Sequence, residues 1–264
     1  MTLDAQFNEC GFIILRDFFN NEEITQIATH VDRIYETWVK KNEQAIYDYR
    51  LVNMHSLTSP KYFNDTPHQR VNFFSAIAPF KLTSVLDNIF GEGLYFHNTQ
   101  LFFNPSNNQR LTYWHRDMQF SDIEDNAQRD EQHSILNLHV RIPLVDEKGL
   151  ELVPGSHKRW DTEQERNVRF ELGGRKNSDD LPDSLMMNLA RGDVLIFDGQ
   201  MLHRGVYKHN PIRKAFDVCV GKYHSISSCF LDPQVLPTEE EMAHINNNGW
   251  YTLAREVSAK IVKK

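Results

Sequence analysis

Cysteine is scarce in this 264-residue sequence: Cys10, Cys219 and Cys229 are far apart and odd in number. That excludes a disulfide framework or a cysteine-rich zinc site and points to reduced thiols. Positive charge is also in deficit, with 29 Lys and Arg against 36 Asp and Glu and a net charge of −7. No basic stripe is available to neutralise a phosphate backbone, so nucleic acid is not an expected partner. No apolar run approaches the ~18 to 20 residues of a membrane span. The opening MTLDAQFNEC has neither a basic nor an apolar leader segment, so a cytoplasmic location is the default expectation. Linkers and internal repeats are absent too. With 40% hydrophobic residues, enough for one sizeable core, a single domain over 1–264 is expected.

What is present falls into three stretches. Residues 1 to about 90 read as mostly helical after the opening GFIILRDFF. Asn20 and Asn21 can cap a helix with Glu22 and Glu23 in its first turn, and Ile24, Ile27, Val31 and Ile34 share one face. A further helix through LTSVLDNIF should stop at Gly91. From 94 to about 225 the runs LYFHNTQLFF, ILNLHVRIPLV, DVLIFD and AFDVCVG read as strands between Gly, Pro, Asn and Asp. The tail reads as a helix, a glycine break and a last helix with cations at its end.

Two segments carry chemistry. YWHRDMQF holds His115 and Asp117, and GDVLIFDGQMLHRG holds His203 at the start of a strand. Together these spell a 2-His-1-carboxylate triad, which grips an octahedral ion from one side and leaves the opposite face open. A His-x-Asp pair suits a strand, where residues i and i+2 point the same way and Trp114 and Arg116 would point away. Tyr113 would share the ligand face and wall the pocket. Ten residues past His203 stands Arg213, placed to hold a dicarboxylate by a bidentate fork.

These pieces resemble the phytanoyl-CoA dioxygenase (PhyH-like) family of Fe(II)/2-oxoglutarate oxygenases. FNECGFIILRDFFNNEEI is similar to its opening strand and helix, WHRD to its Trp-His-x-Asp element, and GLELVPGSHKRW to its Pro-Gly-Ser-His turn. GDVLIFDGQMLHRG and IRKAF match its distal histidine and cofactor arginine. The resemblance implies a mainly β fold with flanking helices around a double-stranded β-helix (jelly-roll, cupin-like) core. It further implies His115, Asp117 and His203 as iron ligands, Arg213 and Asn104 as contacts to the cosubstrate 2-oxoglutarate, and Gln100 near the substrate. Many relatives place a lysine where this chain has the neutral Asn104, leaving Arg213 as the main counter-charge. The implied reaction couples decarboxylation of 2-oxoglutarate by dioxygen to hydroxylation or desaturation of a C–H bond. Halogenation is not expected, because the carboxylate at Asp117 stands where halogenases bind chloride.

The substrate side is less determined. Asn137, His139 and Arg141 alternate with Leu136, Leu138, Val140 and Ile142, so one face of this strand is polar. That face either meets solvent at an edge or points into the barrel to bind substrate. In the second case Asp217, on the face of Arg213, would need a partner, and Arg141 is a candidate. Gln100, Tyr113, Asn137, His139 and Arg141 then suggest a small polar, anionic metabolite rather than an acyl-CoA, with Arg141 or His139 meeting the anion. His157 is expected to hold the Pro-Gly-Ser-His turn rather than a metal, and Arg116 and Arg204 to be solvated or ion-paired. A zinc hydrolase using the same ligands and a non-catalytic cupin-like binding protein remain open, as do the oligomeric state and an acyl-CoA substrate.

Overall fold

A computed structural model describes residues 1–64 and 66–261. The N-terminal part alternates helix and short strand: α1 (Leu3–Cys10), β1 (Phe12–Leu15), α2 (Asn21–Asp48), β2 (Asn53–His55), α3 (Pro67–Ile77) and α4 (Phe80–Phe90). The strand-rich centre follows with β3 (Tyr95–Phe102), α5 (Asp125–Glu131), β4 (Asn137–Pro143), β5 (Glu147–Leu152), α6 (Glu163–Arg169), β6 (Leu185–Leu189), β7 (Val194–Asp198), β8 (His203–Gly205) and β9 (Ala215–Gly221). The C-terminal part holds α7 (Glu239–Met242) and α8 (Gly249–Ile261). Glycine at 249 opens the last helix, and Lys260 lies in its last turn. The expected terminal cations Lys263 and Lys264 lie outside the described residues.

Local chemistry sets these boundaries. The Asn20 side chain accepts from the Glu23 N–H while the Glu23 carboxylate accepts from the Asn20 N–H, a reciprocal cap that starts α2. Ile24, Ile27, Val31 and Ile34 are all buried along it. Gly91 ends α4 at φ 73. Gly11 ends α1 at φ 84, and a methyl group there would come within 2.7 Å of Met201 Sδ, so this junction admits only glycine.

The strands form two antiparallel sheets, one of six strands in the order β1-β7-β4-β9-β3-β2 and one of three in the order β6-β5-β8. These make the jelly-roll core of a mainly β protein with flanking helices. The larger sheet has two unlike faces. Leu138, Val140 and Ile142 of β4 and Phe216, Val218 and Val220 of β9 pack with Ile24, Ile27, Phe73 and Phe74 of the helices. Each such side chain taken out of water contributes roughly 1.5 to 3 kcal/mol, which fixes the parity of both strands. On the opposite face, Leu195 and Phe197 of β7 pack with Leu150 and Leu152 of β5 and Met187 and Leu189 of β6.

That parity decides the polar face of β4. The strand lies between β7 and β9, and Asn137, His139 and Arg141 are all buried. The solvent-edge alternative is therefore excluded, and these side chains look into the space between the sheets.

Candidate metal centre and the cavity around it

The two histidines meet through the backbone before they meet through their rings. His115 and His203 form an isolated antiparallel bridge, each N–H donating to the other's carbonyl at 3.0 Å, and the ring centroids lie 4.1 Å apart. The strand expected through His115 and Asp117 is not formed. Only His115 is bridged, and Asp117 opens a 3-10 turn, Asp117–Phe120. Its N–H donates to the Gly199 carbonyl at 3.0 Å, which anchors it to the turn between β7 and β8. A tertiary contact thus brings carboxylate and imidazoles together where a strand repeat was expected to. One ligand atom from each of His115, Asp117 and His203 lies within 4.8 Å of the others, a group able to hold a metal ion.

The electrostatics suit a cation. Burial, reinforced by the neighbouring His203, pushes the His115 imidazole down to about 3, so it is neutral and has a free lone pair. Burial alone would raise the Asp117 carboxyl, but the His139 imidazole and the His203 ring outweigh it and hold the group ionised well below the usual range. His139 sits between two carboxylates, 2.6 Å from Asp117 Oδ2 through Nε2 and 2.8 Å from Asp217 Oδ2 through Nδ1. Burial opposes its protonation; Asp117, Cys219 and Asp217 reverse that and raise it well above the usual value. Two imidazoles and one carboxylate are a donor set that fits iron(II).

Around this group lies a cavity of about 550 Å³, within the usual range for small-molecule sites. Tyr113 stacks on His115 with centroids 4.9 Å apart and lines the cavity, as do Gln100, Asn137, His139 and Arg141. Arg213 reaches the cavity as expected, 3% exposed, with Nε donating to Glu147 Oε1 at 2.8 Å. Its terminal nitrogens donate to no acceptor among the described residues.

Asn104 is not part of the cavity wall, since its amide donates to the Asn210 carbonyl at 2.8 Å. Arg141 and His139, expected to meet a substrate anion, are bound by protein carboxylates, with Arg141 Nη1 left without a hydrogen-bond partner. Arg141 binds Asp217 through Nε at 2.8 Å and a terminal nitrogen at 3.0 Å, and lies 3.9 Å from Glu147. His139 is bound at both ring nitrogens. Glu147, which takes up Arg213, was missed by the sequence reading; nothing in EKGLEL distinguishes it from a solvated strand residue.

His97 was also missed. It is 2% exposed on β3, lines the cavity beside Asn137, and burial pushes it down to about 3. Its Nε2 and both amide atoms of Asn137 have no protein partner. A methyl group on Gly221 would lie 2.7 Å from the His97 ring and 2.8 Å from Asn137 Oδ1, so glycine there keeps this pocket open. Strict alternation would set His97 on the face opposite Asn98, Gln100 and Phe102; it joins them at the cavity where β3 has a bulge between Phe96 and Asn98, and the facing glycine comes from β9.

The flanking residues point away from the triad, as expected, into buried surroundings. Trp114 packs with Val153, Val168, Leu181 and Leu202. Arg116 is fully buried against Asp161 at 2.9 Å, and Arg204 pairs with Glu151 and Asp180 above the Trp114 ring. In the Pro-Gly-Ser-His turn it is Ser156 that holds the chain, donating to the Val153 carbonyl at 2.6 Å and accepting from the Leu202 N–H at 2.9 Å. His157 takes no part in the metal group, and its Nδ1 has no partner. Cys10, Cys219 and Cys229 are all free thiols. No described helix is long and apolar enough to cross a membrane.

Comparison with known proteins gives the family and the fold. The ectoine dioxygenase of Bordetella bronchiseptica is 22% identical over 279 residues, covering 96% of this chain and 84% of that protein. Among solved structures, HygX from Streptomyces hygroscopicus with nickel and 2-oxoglutarate bound superposes with a TM-score of 0.57 at 14% identity, covering 84% of this chain and 87% of that one. EctD from S. alaskensis with 2-oxoglutarate and 5-hydroxyectoine gives 0.54 at 17%, covering 84% and 76%. At these identities the structural likeness is one of fold. Residues 7–215 match the description phytanoyl-CoA dioxygenase (PhyH), and the chain belongs to that family of Fe(II)/2-oxoglutarate-dependent dioxygenases.

Proposed function

We propose that this dioxygenase oxidises a C–H bond of a small polar metabolite, with His115, Asp117 and His203 as the iron ligands and Arg213 as the anchor for 2-oxoglutarate. The observation that carries the reading is the convergence of those three donors at a cavity that Arg213 also reaches. Bound iron would activate dioxygen, the oxidant, with 2-oxoglutarate as the co-reductant that leaves as succinate and carbon dioxide. The chain's own residues bind and orient. The free terminal nitrogens of Arg213 offer a fork to the far carboxylate of 2-oxoglutarate. Tyr113, Phe197 and Phe102 wall the cavity with apolar surface that excludes water from the reacting centre.

The cations read as anion contacts, His139 and Arg141, are bound by Asp117 and Asp217 with only Arg141 Nη1 left unpaired, so a polar substrate need not be anionic. Asn137 and neutral His97 instead support recognition of an uncharged group that donates and accepts hydrogen bonds. Leaving those buried groups unpaired costs roughly 1 to 3 kcal/mol each, a penalty that a long aliphatic chain would incur. The reduced thiols support a cytoplasmic setting.

The test supplies Fe(II), ascorbate, dioxygen and 2-oxoglutarate with a panel of small metabolites and, separately, branched acyl-CoAs, and scores succinate above the substrate-free rate. Coupled turnover is expected with uncharged polar compounds or those carrying an amide-like edge. Robust hydroxylation of an acyl-CoA would overturn the substrate class and leave the metal and cosubstrate assignment standing. A protein that never converts 2-oxoglutarate to succinate would overturn the catalytic reading.

A further inference from the structure

The two oxygens of Asp117 face different neighbours. Oδ1 is turned toward the histidines, 3.4 Å from His203 Nε2 and 4.0 Å from His115 Nε2. Oδ2 is turned away and meets His139 Nε2 at 2.6 Å. An aspartate carboxylate rotates in a broad, roughly two-fold well about its last torsion, so nothing in Asp117 itself selects this orientation. The surroundings do. Gly199 leaves the room for Oδ2, since a methyl group there would sit 2.6 Å from it.

His139 is itself held. Its ring stacks on Phe197 with centroids 4.8 Å apart at 14°, and its second nitrogen meets Asp217 Oδ2 at 2.8 Å. Asp217 is fully buried and is gripped by Arg141 through two nitrogens, which fixes the carboxylate behind the imidazole. Beyond Arg141 the contacts run on through Glu147, 3.9 Å away, to Arg213. No substrate or solvent role remains for His139, whose polar atoms are both occupied by protein.

We propose that His139, braced by Asp217 and Arg141, is a positioning residue that locks the Asp117 carboxylate so that a single oxygen, Oδ1, is presented to the space between His115 and His203. The inference rests on the proposed ligation by that triad. A ligand oriented before the metal arrives loses less rotational freedom on binding, and partners of this kind typically change metal affinity by about 10- to 100-fold.

The test is anaerobic titration of the metal-free, full-length protein with Co(II), followed by the d–d absorption of the bound ion. Wild type is compared with His139→Leu, His139→Gln, Asp217→Asn and His203→Ala, and the melting temperature of each metal-free protein is recorded beside it. His139→Leu should bind Co(II) about 10- to 100-fold more weakly. His139→Gln, which keeps an N–H donor for Oδ2, should recover most of the loss, and Asp217→Asn should fall between. Rescue by glutamine separates positioning from a general loss of packing. If His139→Leu does not fold, a weakened Asp217→Asn that melts near wild type supports the proposal, and an unweakened one overturns it. Tight binding by wild type that is lost in His203→Ala but unchanged in both His139→Leu and Asp217→Asn overturns the positioning role alone. Binding indifferent to His203→Ala overturns the triad, and this proposal with it.

Discussion

Arg141 on β4 and Asp217 on β9 are register partners, and the guanidinium grips the carboxylate through two nitrogens with both side chains buried. The pair, for which strand alternation had made Arg141 a candidate, braces the central strands of the larger sheet.

Arg141→Ala should therefore act on stability. Removing one partner of a buried pair leaves an uncompensated charge and typically costs 3 to 5 kcal/mol, a magnitude expected here as roughly that range. Urea unfolding followed by circular dichroism measures it. An unaltered midpoint together with a raised KM for substrate would return Arg141 to substrate binding.

Anaerobic Fe(II) with 2-oxoglutarate should give a weak visible charge-transfer band, because a facial triad leaves adjacent positions for a chelating 2-oxo acid. His115→Ala and His203→Ala should each abolish it. Full intensity in both would refute the ligand assignment.

Arg213→Leu should weaken 2-oxoglutarate binding at least about tenfold, since a charge-assisted partner is worth roughly 1.5 to 3 kcal/mol. Asn104→Ala should leave the affinity unchanged, because Asn104 does not line the cavity and its amide N–H is used by the Asn210 carbonyl. Isothermal titration of the anaerobic Fe(II) protein compares the two. A loss with Asn104→Ala equal to that with Arg213→Leu would contradict the geometry.

Gly199→Ala should impair metal binding more than folding. The added methyl would displace Asp117 Oδ2, whereas Gly199 has no positive φ and so tolerates alanine in its backbone. Co(II) affinity should fall while the metal-free melting temperature stays near wild type; equal affinity would show that the carboxylate has slack.

Asp198 gives a pH dependence with a definite sign. Burial, with Asp117 nearby, pushes its carboxyl up to about 7 from a usual 3.8. The folded state thus holds a proton that the unfolded state releases. Its stabilising effect is present below the unfolded value and is lost as pH rises toward the folded one. Asp198→Asn mimics the protonated acid, so the melting temperature of metal-free mutant minus wild type should grow from pH 4 to pH 7 and level off above. A difference that is flat over that range, or that shrinks, would show that Asp198 is ionised in the fold.

Periodicity and short motifs carried much of this protein. Ile24 to Ile34 announced a helix face, the alternation Leu138, Val140, Ile142 announced a strand with one apolar side, and GDVLIFDGQMLHRG placed His203 at the opening of β8. These are readable because they depend only on spacing along the chain. The triad residues were legible as types, and so was Arg213, because their chemistry is rare in such surroundings.

What the sequence could not decide was which groups face one another. The strand expected through His115 and Asp117 gave way to a bridge with His203 and a bond to Gly199, both supplied by a segment remote in the chain. Glu147 and His97 turned in, Asn104 stayed off the cavity wall, and of the pairings that count only Arg141 with Asp217 could be named as a candidate beforehand. Composition and spacing thus set the elements and their buried faces. Only the pairing of β4 with β9, and the packing of the larger sheet against β5, decided whether a buried charge would meet a counter-charge or stay free for a ligand. A buried charge must be paired, and its partner is chosen by contacts across the sheets that no local repeat encodes.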